Sequence, residues 1–273
     1  MSRAAQRRLL GAALGAVALL TLAPLLWMFS ISLMPAGDAN VFPPRLWPRQ
    51  VTWQHYVELF ARLDVARYAL NSAVLSVSVT IISVFINGMA GYAFAKFHFT
   101  GRDSLYRTLL GALVVPAQVA MLPLFLLMKT LGFVNSYVGV MIPGMASIFG
   151  IFLVRQYALS VPDDLLDAAR MDGASEFRIF RSVVLPVIAP ILITLGVFTF
   201  MGTWNDFMWP LIVLSQEEKY TLPVALATLS LEHVQDTELM MAGAVLTILP
   251  VLIVFIALQR FYLEGITAGS VKG

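Results

Sequence analysis

Residues 183–214 read VVLPVIAPILITLGVFTFMGTWNDFMWPLIVL, an apolar stretch whose one ionisable residue is Asp206. A helix of this length would measure about 48 Å at 1.5 Å per residue, whereas the hydrocarbon core of a bilayer is roughly 30 Å thick. The stretch is therefore long enough to cross a membrane and too long to do so as one straight helix. Proline removes a helix donor near each end, at Pro186 and Pro210. These features predict a membrane span that is broken or protrudes near residues 205–210.

The composition of the whole chain agrees with a membrane protein. The chain has 273 residues, of which 59% are hydrophobic and 12% are charged, and its mean hydropathy is +0.82. A soluble domain is about half apolar and a quarter charged, so this chain has too few charges to cover a surface that faces water. It has no cysteine, which excludes disulfides and thiolate metal sites. Its net charge is only +2. We expect no nucleic-acid partner, because the chain has no basic patch.

Six charge-poor apolar runs are long enough to span a bilayer as helices. Their continuous character disfavours transmembrane strands, which need short alternating segments. The predicted fold class is therefore an all-α membrane protein with six transmembrane helices, at about 9–33, 69–94, 108–128, 137–154, 183–214 and 239–261. The first run follows several arginines, as in a signal peptide, but its length and the lack of a cleavage site favour a retained helix.

The distribution of Lys and Arg predicts the orientation. With the N-terminus in the cytoplasm, twelve of the 18 Lys and Arg residues fall on the inner side and six on the outer side, as the positive-inside rule requires. Both termini are therefore predicted to be cytoplasmic. A long inner loop then covers 155–182, and the outer loops cover 34–68, 129–136 and 215–238. The last outer loop carries five acids and one lysine, which is typical of a solvated connector.

Motifs of several enzyme classes are absent from the sequence. It contains no phosphate-binding P-loop, no zinc-protease motif and no serine-hydrolase motif. The three histidines, His55, His98 and His233, fall in three different loops, so we expect neither a metal site nor catalytic residues. Acids and bases inside membrane spans mark proton and ion paths. Asp206 is the one candidate of this kind, which disfavours a carrier that works alone by coupling to protons.

The inner loop 155–182, hereafter the elbow, has the pattern of two short helices. Pro162 suits a first helical turn, and two aspartates follow it, where acids are favourable. Asp167 can pair with Arg170 at helical spacing. Gly173 interrupts the pattern, and a turn at positive φ is expected there. These residues leave two interpretations open: an amphipathic loop that rests on lipid headgroups, or a docking element for a cytoplasmic partner.

Three segments of the sequence resemble one family. The string DAARMDGA at 167–174, followed by LP at 185–186, resembles the EAA motif of the binding-protein-dependent ABC importer permeases. Its fuller form is similar to the sugar-transporting branch of that family, whose members resemble the maltose permease. The segment WNDFMWP at 204–210 and the tail GITAGSVKG at 265–273 resemble the same branch. The resemblance covers essentially the whole chain, with one departure at Asp167, where the motif usually has Glu.

The resemblance implies the architecture of a type I ABC importer permease, which moves a sugar or related polyol. It implies a location in the inner (plasma) membrane of a bacterium or archaeon. The implied partners are two ATPase subunits at the cytoplasmic face, a second permease and a substrate-binding protein at the outer face. The second permease is more often a related chain than an identical one. ATP and Mg²⁺ then belong to the ATPase, so this chain is not an enzyme and binds no cofactor.

The resemblance also implies roles for particular residues. The ATPase-coupling residues are Asp167, Ala168, Ala169, Asp172, Gly173, Ala174, Leu185 and Pro186. The tail residues at the ATPase interface are Gly265, Thr267, Gly269 and Lys272. The candidate pathway or outer gate consists of Trp204, Asn205, Asp206 and Trp209. For Asp206, the sequence supports equally a second role, in which the carboxylate caps backbone donors at the break. The outer loop 215–238 is expected to reach toward the binding protein.

Two other functions stay open at this point. One is a secondary carrier or channel that works alone, in which the elbow would have no use. The other is a permease of the same architecture for a phosphorylated or other anionic solute. Such solutes favour Arg or Lys along the path, and the six spans as drawn contain one such residue, Arg260 at the inner end of the sixth span. Aromatic and amide groups such as Trp204, Asn205 and Trp209 suit a neutral polyol better.

Overall fold

The computed structural model describes residues 3–232 and 236–268, and every regular element in these residues is helical. The α-helices are α1 (Arg3–Ser32), α2 (Gln54–Arg62), α3 (Val65–Lys96), α4 (Arg102–Ala112), α5 (Ala117–Thr130), α6 (Tyr137–Met145), α7 (Ile148–Ala158), α8 (Asp163–Met171), α9 (Glu176–Ile179), α10 (Leu185–Trp204), α11 (Met208–Val213), α12 (Leu222–Glu232) and α13 (Thr237–Ala268). Short 3₁₀ turns lie at Asp38–Asn40 and Glu217–Lys219, and a π-helical turn joins α9 to α10 at Phe180–Val184. Within the described part of the chain, five segments are long and apolar enough to cross a membrane, and the bent pair of α4 and α5 would be a sixth. The predicted all-α membrane fold is therefore confirmed.

The helices belong to two compact units. One unit combines Met1–Ala66 with Ala225–Pro250, and the other combines Arg67–Val224 with Val251–Gly273. We call them the first and second units. The second unit contains both the elbow and the segment 204–210, so both sites singled out in the sequence lie within it.

The predicted third span, 108–128, differs from the structure. Helices α4 and α5 meet there at an angle of 106°. Pro116 stands at the N-cap of α5 with an extended backbone, at φ −61° and ψ 132°. Because proline has no N–H and favours the start of a helix over its interior, the apolar run begins a new helix at this point. The run is therefore a bent pair of helices, which hydropathy alone does not distinguish from one continuous helix.

The fourth span is interrupted between α6 and α7, and side chains pair the backbone at this break. Ser147 Oγ accepts a hydrogen bond from the Gly150 N–H at 2.8 Å and so caps α7. Asn87 Oδ1 of α3 accepts from the Ser147 N–H at 3.0 Å, and Asn87 Nδ2 donates to the Ser83 carbonyl at 2.7 Å. Non-helical backbone is tolerated at membrane depth only where the protein or water satisfies it. These bonds meet that condition.

Two of the predicted outer loops contain helices. Helix α2 and the start of α3 lie within 34–68, and α12 lies within 215–238. For the second segment the sequence leaves a solvated acidic connector as one interpretation, but its apolar part forms α12, and Leu222 at the start of this helix is buried. The expectation that this segment reaches toward a binding protein stays a prediction. Asn71 Nδ2 of α3 donates to the Tyr220 carbonyl at 3.0 Å and so holds the chain that leads into α12. The acids lie near both ends of the segment, so a charge count over the whole segment does not indicate the apolar helix between them.

Helices α3 and α7 pack closely at Gly91. A Cβ atom at this position would lie 2.6 Å from Val154 Cβ and 2.9 Å from the Arg155 backbone nitrogen. Small residues allow helix backbones in membranes to approach in this way. Arg155 Nε also donates to the Phe94 carbonyl at 3.2 Å, one turn further along α3. The contact fixes α7, and with it the start of the elbow, against α3.

We expect Gly91→Ala to lower thermal stability, because the added methyl group overpacks this contact at a cost of about 1–3 kcal/mol. Gly88→Ala is the matched control one turn earlier in α3, since its Cβ would meet only ordinary contacts, the nearest at 3.5 Å from Leu192. Thermal unfolding of both purified variants in detergent measures the difference. Equal melting temperatures for the two variants would contradict the close approach of α3 and α7.

Candidate functional site

The elbow, residues 155–182, contains α8 and α9, which are joined by a tight turn at Gly173. The Ala174 N–H donates to the Ala169 carbonyl at 3.0 Å, and the Gly173 N–H donates to the Arg170 carbonyl at 2.9 Å. This pair of bonds is a Schellman motif, which places a left-handed residue just after the helix. Gly173 has φ +77°, the positive φ expected from the sequence. The turn folds α9 back toward α8.

Arg170 connects the two helices of the elbow. Its Nη1 lies 2.8 Å from Asp167 Oδ1, and its Nε lies 2.8 Å from Glu176 Oε1 at the start of α9. Glu176 and Asp167 together raise the pKa of the Arg170 guanidinium above its usual value. The pairing with Asp167 follows from helical spacing, but the pairing with Glu176 requires the turn at Gly173. Exposed ion pairs contribute little stability, so this network mainly orients the two helices.

A second ion pair joins the elbow to α3. Lys96 Nζ lies 2.7 Å from Asp163 Oδ1 and donates to the Val161 carbonyl at 2.6 Å. The hydrogen bond and the charge of Lys96 lower the pKa of the Asp163 carboxyl. Pro162 is predicted inside the first turn of the helix, but its ψ of 135° places it at the N-cap instead. Asp163 is therefore the first residue of α8.

One face of the elbow is buried and the other carries exposed apolar side chains. Leu166 and Ile179 belong to the core that α3, α7 and α10 share. Leu165, the neighbour of Leu166 along α8, is half exposed. Met171 and Phe177 are 90% and 61% exposed. The elbow is thus packed against the membrane helices on one face and carries an exposed apolar surface on the other, as a protein partner or lipid headgroups would require.

Five of the eight predicted ATPase-coupling residues are exposed, and four of these five lie on the elbow. The exposed members are Asp167, Ala168, Asp172, Gly173 and Pro186, and the half-buried members are Ala169, Ala174 and Leu185. Two of the tail residues, Gly265 and Thr267, belong to α13, where the structure describes their backbone and not their side chains. Gly269 and Lys272 lie outside the described residues.

The fifth span breaks where the sequence predicts a break. Helix α10 ends at Trp204, and α11 begins at Met208. Asp206 Oδ1 accepts a hydrogen bond from the Trp209 N–H at 3.3 Å, so the carboxylate caps the start of α11. The Trp209 side chain is buried, and its Nε1 donates to the Gly139 carbonyl at 3.1 Å. The break is thereby attached to α6.

A cavity of about 540 Å³ lies beside this break, entirely within the second unit. Two of the four predicted pathway residues, Asp206 and Trp209, line it. The other two do not: Trp204 is buried, and the exposed Asn205 donates from Nδ2 to the Met201 carbonyl at 2.9 Å. The other polar residues that line the cavity are Ser147, Thr199, Thr203 and Thr221.

Most of this polar lining is missed by sequence reasoning, although one signal for it exists. Thr199, Thr203 and Asp206 recur at helical spacing on the way to the break. Such a stripe in an otherwise apolar span indicates a face that meets water or solute. Ser147 and Thr221 come from distant segments, and their presence in the cavity depends on the tertiary fold. Among the residues that the structure describes, the lining has one carboxylate and neither Lys nor Arg.

The helical membrane fold and the polar cavity beside the broken fifth span define a solute permease. Residues 87–266 match the family described as the inner membrane component of binding-protein-dependent transport systems. The chain belongs to this family, which confirms the resemblance seen in the sequence.

Individual relatives agree with the family assignment. The chain is 36% identical over 245 residues to the arabinooligosaccharides transport system permease protein AraQ of Halalkalibacterium halodurans, covering 89% of this chain and 86% of that protein. It is 33% identical over 257 residues to the lactose transport system permease protein LacG of Rhizobium radiobacter, covering 93% and 94%. A solved bacterial ABC transporter involved in the import of the acidic polysaccharide alginate is similar over 96% of this chain and 99% of its own, with a TM-score of 0.80 and 27% identity.

Two substitutions at Asp206 separate its capping role from a role in the pathway. We expect Asp206→Leu to destabilise the protein by about 0.5–2 kcal/mol, because the Trp209 N–H loses its acceptor. Asp206→Asn retains an oxygen acceptor and should keep most of the stability. Melting temperature and solute uptake are measured for both variants. If the pathway also uses the charge, the Asn variant should fold and transport poorly. A Leu variant as stable as the wild type would contradict the cap.

Proposed function

We propose that this chain is the permease subunit of an ATP-driven importer, which moves a sugar or related polyol across the inner membrane of a bacterium or archaeon. The observation that carries this proposal is the elbow, which is attached to the membrane helices by a buried core and presents exposed apolar residues outside them. A carrier that works alone has no use for such an element. The relatives named for arabinooligosaccharide and lactose transport support a sugar as the solute.

The chemistry of the cavity supports a neutral solute. Hydroxyl groups and the indole of Trp209 offer the hydrogen bonds and apolar surface that polyols use. An anionic solute would meet the Asp206 carboxylate without a compensating Lys or Arg among the described lining residues. The alginate importer carries an acidic polysaccharide, so the structural similarity alone does not favour neutral over acidic sugars. The lining is the argument for a neutral one.

Coupling would run from the elbow to the cavity through α10. Val184 and Ile188, at the start of this helix, are fully buried in the same core as Leu166 and Ile179 of the elbow. The other end of α10 supplies Thr199 and neighbouring residues to the cavity. A partner that moves the elbow would therefore move the cavity wall. Binding at one end would change the solute path at the other, as a coupling free energy between two sites requires.

We propose the following partners and orientation. Two ATPase subunits would bind the elbow at the cytoplasmic face and hold the ATP and Mg²⁺. A second permease, more often related than identical, would complete the pathway, and a binding protein would deliver the solute at the outer face. The family description, which names binding-protein-dependent transport, supports the last partner. The excess of Lys and Arg on one side supports cytoplasmic termini. The proposed role of the tail at the ATPase interface rests on the sequence resemblance.

Gly173→Val tests the docking role of the elbow. A β-branched residue is strained at φ +77°, at roughly 1–2 kcal/mol, so the turn and the surface around it should distort. Gly132→Val is the matched control, because Gly132 has φ +75° in the same type of helix end after α5 and equally open surroundings. We expect the Gly173 variant to insert into the membrane but to lose ATPase co-purification and uptake. The Gly132 variant should keep its ATPase. Equal ATPase yields in the two variants would contradict a docking elbow.

Gly202→Phe tests whether the cavity carries solute. Gly202 lines the cavity, and a Cβ there would meet no atom within 4 Å, so a larger side chain can enter without a backbone clash. We expect uptake to fall to background while ATPase co-purification stays normal. Gly111→Phe on α4, where the surroundings are equally open and the residue does not line the cavity, is the control. Normal uptake by the Gly202 variant would exclude this cavity from the pathway.

A further inference from the structure

Three potential metal ligands converge in the first unit. His55 and Glu58 of α2 and Asp236, just before α13, each offer one ligand atom, and these atoms all lie within 4.8 Å of one another. The sequence predicts no metal site, because its three histidines lie in three different loops. The fold instead brings one histidine together with two carboxylates, one of which is distant in the sequence. This group belongs to the first unit, whereas the elbow and the cavity belong to the second.

His55 is oriented for a ligand that its protein neighbours do not supply. Its side chain is 2% exposed, and Nε2 lies 2.8 Å from the Met34 carbonyl oxygen. Because a carbonyl only accepts hydrogen bonds, Nε2 carries the proton. Nδ1 then has a free lone pair, and within residues 3–232 and 236–268 no group forms a hydrogen bond with this buried atom. An unsatisfied buried polar atom is unfavourable for the folded state. A carbonyl that fixes the tautomer of an imidazole is also the usual support of a metal-bound histidine.

The two carboxylates can bind a cation without giving up their present contacts. Glu58 lies three residues after His55, on the same face of α2, and it also pairs with Arg62. Asp236 Oδ1 accepts from the Leu239 N–H at 3.0 Å and caps α13. Each carboxylate has two oxygens. One oxygen can therefore keep the existing contact while the other binds the ion.

We infer that His55, Glu58 and Asp236 bind a divalent transition-metal ion of the zinc type, which joins α2 to the start of α13. One imidazole nitrogen with two carboxylate oxygens suits zinc, whereas Mg²⁺ and Ca²⁺ prefer oxygen ligands alone. Bonds of about 2.0–2.1 Å place the ligand atoms of a tetrahedral zinc ion roughly 3.4 Å apart. Small side-chain rotations bring the cluster to that spacing. Three protein ligands leave the fourth position to water. The ion would stabilise the segment that connects the first two spans.

Metal binding by the purified full-length permease tests this inference. The protein carries no polyhistidine tag, is treated with a chelator and dialysed, and is then titrated with Zn²⁺. Bound zinc is measured by elemental mass spectrometry, and the melting temperature is measured with and without the ion. We expect about one zinc ion per chain. We also expect a rise in melting temperature, because an ion that binds only the folded state stabilises it. Mg²⁺ at the same concentration should produce no such rise.

Conservative variants assign the binding to these residues. Glu58→Gln and Asp236→Asn keep a hydrogen-bond acceptor but remove the charge, and each should weaken zinc binding at least about tenfold. Their melting temperatures in chelator should match that of the wild type. Glu217→Gln, which changes an exposed acid in the second unit, is the control and should bind zinc normally.

Two results would overturn the inference. One is a wild-type protein that binds zinc no more tightly than the Glu58 and Asp236 variants. The other is a wild-type protein whose Co²⁺ complex lacks the visible absorption bands of a nitrogen- and oxygen-ligated site. The second measurement needs no variant, so it decides the question even if a substitution prevents folding. Either result would leave His55 as a buried histidine with a purely structural role.

Discussion

The structure depends on how the chain pairs its backbone groups where the membrane helices break. In hydrocarbon, each unpaired N–H or C=O group costs several kcal/mol. Asn87 pairs with the Ser147 N–H at the break between α6 and α7, Asp206 caps α11, and Ser72 Oγ accepts from the Leu222 N–H where α12 begins. Ser147 and Asp206 also line the cavity. The groups that permit the breaks thus give the cavity much of its polar surface.

Helix α10 connects this polar region to the elbow. One end of the helix lies in the apolar core beneath α8 and α9, and the other end stops at the break capped by Asp206. A core packed at the density of a protein interior transmits displacement and does not absorb it. The elbow, by contrast, has Met171 and the acidic side chains of α8 exposed at its surface. In the proposed mechanism, the elbow would receive the movement of the ATPase, and α10 would transmit that movement to the cavity.

Sequence reasoning predicts the features that depend on local pattern. Hydropathy identifies the apolar runs, and the glycine at 173 indicates the turn of the elbow. Both signals are contained in one continuous segment of the sequence. Pro116 indicates a possible kink, but hydropathy and charge counts specify neither the angle of that bend nor the helix α12. The polar lining contributed by Ser147 and the cluster around His55 arise only when distant segments meet. The family resemblance adds the partners, which no local pattern contains.

Site-directed cross-linking tests the central claim, that the elbow is the contact through which an ATPase drives this permease. The chain has no cysteine, so a single one can be introduced without background. Met171 on the elbow and Phe42 on the first outer segment are 90% and 92% exposed, which makes them a matched pair. In a complex that hydrolyses ATP, Met171→Cys should cross-link to the ATPase and Phe42→Cys should not. A cross-link from position 42, or none from position 171, would contradict the account.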